Sequence, residues 1–167
     1  LVVDPVMIAK GGASLVDDSA LAALKSGLLP LTYLLTPNVP EAEALTGMAI
    51  RDEKTMEAAA RLLHRLGVSN ILIKGGHLDG KESVDLFFDG HDFSRHASVR
   101  LETVNTHGTG CTLASAIATF LAMGEPLPTA IGRAKAFITA AISLARPMGK
   151  GHGPVNHFLA ASEISRI

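Results

Sequence analysis

The amino-acid sequence predicts an α/β fold: a mostly parallel sheet flanked by helices, with an antiparallel hairpin at one edge. Two observations carry this. Short apolar runs at Leu1–Val3, Thr32–Thr36 and Asn70–Lys74 alternate with helix-patterned segments, the mark of parallel strands joined by helical crossovers. Two further β runs, Val84–Phe88 and Phe93–Val99, are separated only by the turn Asp89-Gly90-His91-Asp92, which makes them a hairpin.

The elements follow in order. Leu1-Val2-Val3-Asp4-Pro5 reads as a buried strand with nothing ahead of it. A domain seldom starts on a central strand, so the chain is expected to be the C-terminal part of a longer domain whose N-terminal strands are missing; the lack of an initiating Met agrees. After a loop at Ala9–Leu15, Asp17 and Asp18 cap a helix from about Ser19 to Leu28, stopped by Pro30. Thr36-Pro37-Asn38-Val39-Pro40-Glu41 forms a polar turn from the second strand into a helix at Glu41–Leu45. Asp52 starts a longer amphipathic helix through Leu66, with Ala59, Leu62, Leu63 and Leu66 on one face. Gly75-Gly76 ends the third strand. Beyond the hairpin, a helix opens near Cys111 and runs to about Met123. Pro126 or Pro128 begins the last long helix, through about Leu144, whose Ala-rich face suits tight packing. A glycine-spaced loop, Gly149–Gly153, leads to a short closing helix at Val155–Glu163.

The 167 residues fit a single domain spanning 1–167. Fifteen Lys and Arg against sixteen Asp and Glu leave a net charge of −1, so no global field draws the chain to nucleic acid or to a membrane. One cysteine rules out an internal disulfide framework, and the apolar stretches are interrupted well before membrane-spanning length. A cytoplasmic setting is expected.

Asn105-Thr106-His107-Gly108-Thr109-Gly110-Cys111-Thr112 carries the strongest chemical signal. Two glycines and a cysteine lead into a helix, so the backbone N–H groups of 108–111 should face whatever sits above the helix start. A helix N-terminus offers unpaired donors and partial positive charge, and glycine lets a phosphate approach closely. A thiol there can act as base or nucleophile. The same residues also fit an ordinary Gly-rich turn with Cys111 packed as a small apolar residue. In a sheet of this kind ligands gather outside the carboxyl ends of the strands. Asp4, Asn38 with Glu41, Lys74 and the loop ending at Cys111 all fall there. Each has a plainer reading alone: Asp4 as a turn residue, Asn38 and Glu41 as a helix cap, Lys74 as a solvated charge. His77 and His107 border these loops, but no His pair has convincing zinc-ligand spacing.

Taken together, Val3-Asp4-Pro5-Val6-Met7, Leu35–Ala42, Ile73-Lys74-Gly75-Gly76-His77, Asn105–Leu113 and Gly151-His152-Gly153-Pro154-Val155 resemble the hydroxymethylpyrimidine/phosphomethylpyrimidine kinases of thiamine biosynthesis, within the ribokinase-like superfamily. The resemblance runs over nearly the whole chain and in register. It implies a ribokinase-like fold and an ATP-dependent, Mg²⁺-requiring kinase. The substrate would be 4-amino-5-hydroxymethyl-2-methylpyrimidine and then its monophosphate, in a homodimer when full length. Carried over, Gly108, Thr109, Gly110 and Cys111 form the hole for the transferring phosphoryl group, with Cys111 where most relatives have an aspartate base. Asn38 and Glu41 match an Asn-x-x-Glu element that organises Mg²⁺ and its waters. Lys74 neutralises nucleotide phosphate, Asp4 holds the acidic strand-end position, and Thr36, Thr106 and His107 join them on the nucleotide. A pyridoxal or pyridoxine kinase of the same fold shares nearly all of these residues, and a non-catalytic nucleotide-binding fragment is the reading from a different class.

Overall fold

Three apolar segments too short to stand alone become strands by lying side by side. In the computed structural model, which describes residues 1–7 and 15–164 (the side chains of Glu163 and Ile164 excepted), they are β1 (Val2–Val3), β2 (Leu34–Leu35) and β3 (Asn70–Lys74). β1 and β2 pair in parallel, as do β2 and β3, with Val3 opposite Leu35 and Leu35 opposite Ile71. β4 (Glu82–Phe88) then runs antiparallel to β3, placing Asp85 opposite Lys74, and β5 (Phe93–Val99) completes the order β1-β2-β3-β4-β5. The sheet is thus mixed, parallel where the crossovers are and antiparallel at the hairpin edge. Leu34, Leu35, Ile71, Leu72 and Ile73 are fully buried. Strands covered on both faces read as continuous apolar runs rather than alternating ones, which is what these sequences show.

The chain forms two compact units, Leu1–Ala97 and Ser98–Ile167. In the first, α3 (Glu53–Arg65) supplies Met56, Ala59, Ala60 and Leu63 to a core shared with Ile71, Ile73, Leu86 and Phe88. Asp52 caps it: its carboxylate accepts from Thr55 N at 2.8 Å while Thr55 Oγ1 accepts from Asp52 N at 3.0 Å. Arg61 lies over the stacked rings of Phe88 and Phe93, so the hairpin is held by its aromatic faces as well as its ladder. In the second unit, α4 (Thr109–Ala122) buries Leu113, Ala114 and Ile117, and α5 (Leu127–Ser143) packs a face containing Ala130, Ala134 and Ala141. The closing helix α6 is His157–Ile164.

Several boundaries differ from expectation for identifiable reasons. The helix expected over Ser19–Leu28 is α1 (Asp18–Ala23), then a π-helical turn at Leu24–Leu28 and a 3-10 turn at Leu29–Leu31. Pro30 cannot donate to the helical ladder and its ring crowds the carbonyl four residues back, so α geometry is not carried through Gly27 to Leu31. Asp17 alone is the cap, accepting from Ala20 N at 2.8 Å; Asp18 sits in the first turn. α2 spans Val39–Thr46, earlier than expected because Pro40 is tolerated in a first turn. β2 is confined to Leu34–Leu35, and β4 starts two residues sooner than the apolar run, at Glu82. The loop expected at Ala9–Leu15 lies, apart from Leu15, outside the described residues. Among the described residues no helix is long and apolar enough to cross a membrane.

Gly75 ends β3 where no side chain fits: a Cβ there would stand 2.0 Å from Val84 O. Gly132, inside α5, has nothing within 4 Å of its Cβ position. Gly75→Ala is expected to lower unfolding free energy by about 2 kcal/mol or more, as overpacking against backbone does. Gly132→Ala is expected to raise it by about 0.5–1 kcal/mol through lost unfolded-state entropy. Urea denaturation midpoints of the two variants measure both.

Candidate active site

Because β1, β2 and β3 are parallel neighbours, the residues that end them share one edge of the sheet. Asp4 follows β1, Thr36 follows β2 and Lys74 is the last residue of β3. Lys74 Nζ pairs with Asp4 Oδ1 at 2.6 Å, and Thr36 Oγ1 donates to the same carboxylate oxygen at 3.2 Å. Lys74 N donates to Pro37 O at 2.8 Å, which pins the turn entering α2 against the end of β3. At that turn Asn38 and Glu41 form a reciprocal cap: Glu41 N donates to Asn38 Oδ1 at 2.9 Å and Asn38 N donates to Glu41 Oε2 at 2.7 Å. The cap turns the Glu41 carboxylate inward, where only 6% of its side chain is exposed and Lys74 Nζ lies 4.0 Å away. Burial pushes the Glu41 carboxyl above the usual carboxylate range, against the opposing pull of the Asn38 N–H and the Lys74 charge.

In the second unit the loop before α4 turns on Gly108, which adopts φ +84° at the helix N-cap. That left-handed conformation suits glycine far better than any other residue. Among the described residues no side chain caps α4. Thr109 Oγ1 instead donates outward to Thr106 O at 2.8 Å, and Thr112 N makes the first helical bond to Gly108 O at 2.9 Å. Thr109 N donates to Thr106 O at 3.4 Å; the first-turn amides that follow have no intrahelical acceptor, so Gly110 and Cys111 are placed to present theirs to a ligand. Cys111 is exposed, which sets aside its reading as a packed apolar residue. His107 is bonded through its backbone to the glycine-spaced loop, donating from N to Gly153 O at 3.0 Å.

One residue escaped sequence reasoning, and another was part of a motif without a role of its own. Asp85, 4% exposed, accepts from Gly75 N at 3.1 Å and so supports the turn that follows Lys74. An acid inside the apolar run Val84–Phe88 was the available signal. Asn105, also 4% exposed, lies against Gly153, and its Oδ1 has no hydrogen-bond partner among the described residues. Of the expected site residues, then, Asp4, Thr36, Asn38, Glu41 and Lys74 come together in the first unit, and Thr106, His107, Gly108, Thr109, Gly110 and Cys111 form one loop and helix start in the second.

The sequence profile of the phosphomethylpyrimidine kinases matches residues 1–156. The chain belongs to the phosphomethylpyrimidine kinase family. Within that family it is similar to the thiamine biosynthesis bifunctional protein ThiED of Geobacter sulfurreducens, 63% identical over 164 residues, 98% of this chain and 34% of that protein. It is 50% identical over 163 residues to the hydroxymethylpyrimidine/phosphomethylpyrimidine kinase of Haemophilus influenzae, covering 95% of this chain and 60% of the relative. Among solved structures it resembles the pyridoxal kinase of Staphylococcus aureus in complex with AMP-PCP and pyridoxal, with TM-score 0.85 and 34% identity over 92% of this chain and 55% of that one. The phosphomethylpyrimidine kinase of Clostridium difficile overlays with TM-score 0.70 and 40% identity over 83% of this chain and 55% of the other. The chain spans well under two thirds of the length of each of these proteins. The fold is therefore the α/β, ribokinase-like arrangement that the motifs implied.

The raised Glu41 carboxyl has a consequence for stability. Between its unfolded and folded pKa values the folded chain keeps a proton that the unfolded chain has lost, so this residue's contribution falls as pH rises through that window. Glu41→Gln removes the titration but keeps an oxygen for the Asn38 N–H. The unfolding free energy of the variant minus that of the parent is expected to grow as pH goes from about 4 to 7. Urea unfolding across that range measures it; a shrinking difference would mean that the Lys74 attraction outweighs burial.

Proposed function

We propose that this chain is the nucleotide- and phosphoryl-handling part of an ATP-dependent kinase. It phosphorylates 4-amino-5-hydroxymethyl-2-methylpyrimidine and then the resulting monophosphate, giving a diphosphate for thiamine assembly. The observation that carries the reading is the start of α4, where Gly108 in the left-handed region and the absence of a side-chain cap leave backbone donors for an anion beside an exposed thiol. Family membership and the similarity to kinases solved with an ATP analogue support it. The two units are taken to work as one kinase domain.

In this reading the loop 108–111 receives the transferring phosphoryl group, stabilising charge where it develops. Lys74, held ready by Asp4 and Thr36, is assigned to nucleotide phosphate, and Thr106 and His107 are assigned to the nucleotide as well. Mg²⁺ takes oxygen donors, retains several waters and leans on one or two carboxylates plus substrate phosphates. Glu41, with Asn38 holding it, fits that demand. Among the described residues no three His, Cys, Asp or Glu side chains gather to cage a metal unaided, which suits an ion completed by water and phosphate. Mg²⁺ bound there would neutralise phosphate charge; Asn38 and Glu41 orient the donors. The single thiol, the small polar substrates and the near-neutral charge fit a cytoplasmic enzyme, and homodimerisation is assigned to the whole polypeptide.

Cys111 bears on the two successive acceptors. In the first step the attacking group is an alcohol, which gives up its proton as its oxygen bonds to phosphorus and the bond to ADP breaks. In the second the attacking group is already an anionic phosphate, which needs no strong base and is repelled by a carboxylate. A thiol lessens that repulsion. Pyridoxal phosphorylation is the second reading, favoured by the overlay on the Staphylococcus aureus pyridoxal kinase.

Activity on hydroxymethylpyrimidine, its monophosphate and pyridoxine decides among these readings, with product formed on both pyrimidines expected. ATP binding without transfer to any acceptor would leave only a nucleotide-binding module. Lys74→Ala is expected to lower kcat/KM for ATP by about 10- to 100-fold, the worth of a charge-assisted contact. Cys111→Asp is expected to depress diphosphate formation more than phosphorylation of the alcohol, and equal losses in steady-state assays would discard the repulsion account.

A further inference from the structure

The donors of the Gly108–Cys111 loop are useful to a phosphoryl group only if they are held still, and the glycines that expose them also make them loose. The segment that follows α5 grips this loop on both sides. Upstream, His107 N donates to Gly153 O at 3.0 Å and Val155 N donates to His107 O at 3.3 Å, a parallel bridge of His107 with Pro154. The fit is close enough to demand glycine: a Cβ on residue 153 would stand 2.2 Å from Asn105 Oδ1. Downstream, Thr112 Oγ1 and His157 Nε2 share a hydrogen bond of 2.8 Å, tying the first turn of α4 to the first residue of α6. Residues 108–111 lie between these two attachments, with Thr109 N itself held by Thr106 O at 3.4 Å.

The grip is itself anchored. Asn156 N donates to Ala141 O at 2.8 Å and Asn156 Nδ2 to Leu144 O at 3.3 Å, fixing the segment to the end of α5. Its Oδ1 accepts from Leu159 N at 3.1 Å and so starts α6, while Val155 and Ala160 are buried on either side. Residues 153–157 therefore connect the packed end of α5 to both flanks of the loop. We infer that this segment is a clamp that sets the orientation of the 108–111 amides, and that His157 is a positioning residue acting through Thr112. The inference rests on the kinase reading for its effect on turnover, but the clamp is a property of the loop whether or not the chain is a kinase.

The test uses His157→Ala, His157→Gln, Thr112→Val and the double variant His157→Ala/Thr112→Val, in the protein assayed with ATP and hydroxymethylpyrimidine. An exposed hydrogen bond sets a loss in kcat of about 3- to 10-fold for either single change. KM for both substrates should stay within about twofold. The double variant should be no worse than the singles, and Gln, whose amide can donate or accept where the Nε2 group stood, should restore most of the rate. ¹⁵N relaxation should show lower order parameters for the amides of 108–111 in His157→Ala and Thr112→Val, with melting temperatures close to the parent's. A change in KM alone, additive losses, no rescue by Gln, or unchanged order parameters would overturn the clamp. If His157→Ala does not fold, the shape-conserving Thr112→Val carries the test. If the parent transfers no phosphoryl group, the kinase reading fails, and the amide order parameters still decide the clamp.

Discussion

The first unit's polar edge depends on the ion pair of Asp4 with Lys74. These residues end strands that are not neighbours, since β2 lies between β1 and β3, and Thr36 at the end of β2 donates to the same Asp4 oxygen. Three strand ends are therefore joined in one network. Only 13% of the Lys74 side chain and 12% of the Asp4 side chain are exposed. Removing two charges from water costs several kcal/mol per ion, and a buried pair often does no better than apolar residues of the same volume. Stability alone is thus a weak reason for the pair. A cation held at a strand end, its charge matched until an anion arrives, is a better one. The shared oxygen also restricts where Asp4 can point, so Lys74 is oriented as well as neutralised.

The same economy appears at Asn38 and Glu41. Sequence spacing alone could not choose between a helix cap and a metal-binding element, and the geometry shows that the cap need not exclude the other role. The capping bond uses Glu41 Oε2 and leaves the carboxylate buried beside Lys74. Its raised affinity for a proton comes mainly from that burial. A group that is reluctant to carry charge when alone gains most from a nearby cation, so the local structure that starts α2 also prepares an acceptor for positive charge.

What the sequence disclosed was whatever depends on neighbours in the chain. β3 was legible to the residue because an apolar run stops at Gly75-Gly76, and β5 because it follows the turn Asp89-Gly90-His91-Asp92; the caps at Asn38 and Asp52 were visible as polar residues three positions before a Glu and a Thr, and Asp17 as an acid ahead of a helix-forming run. Tertiary forces hid the rest. The π-helical turn at Leu24–Leu28 leads into Leu29, fully buried, and no local pattern announces such an accommodation. Asp85 and Asn105 look like ordinary polar residues until pairing across the sheet or contact with Gly153 buries them. The bond between Thr112 and His157 joins residues 45 positions apart. Motif order nominated the candidate residues; only packing shows which support which.

The helix starts themselves bear on how the loop before α4 is built. α1, α2 and α3 each have a side chain accepting from their first-turn amides, and Asn156 does the same for α6. α5 has no such cap, but Pro128 in its first turn removes one donor from the unsatisfied set. Among the described helices α4 alone follows a glycine N-cap with no side-chain cap and no proline. At Gly108 the φ of +84° favours glycine, and a capping side chain is worth only roughly a few tenths of a kcal/mol more than glycine even where the backbone allows it. The left-handed turn therefore accounts for glycine at 108, and the same turn leaves α4 without a side-chain cap among the described residues. In the proposed kinase an anion at this helix start would supply the acceptor that a capping side chain supplies elsewhere.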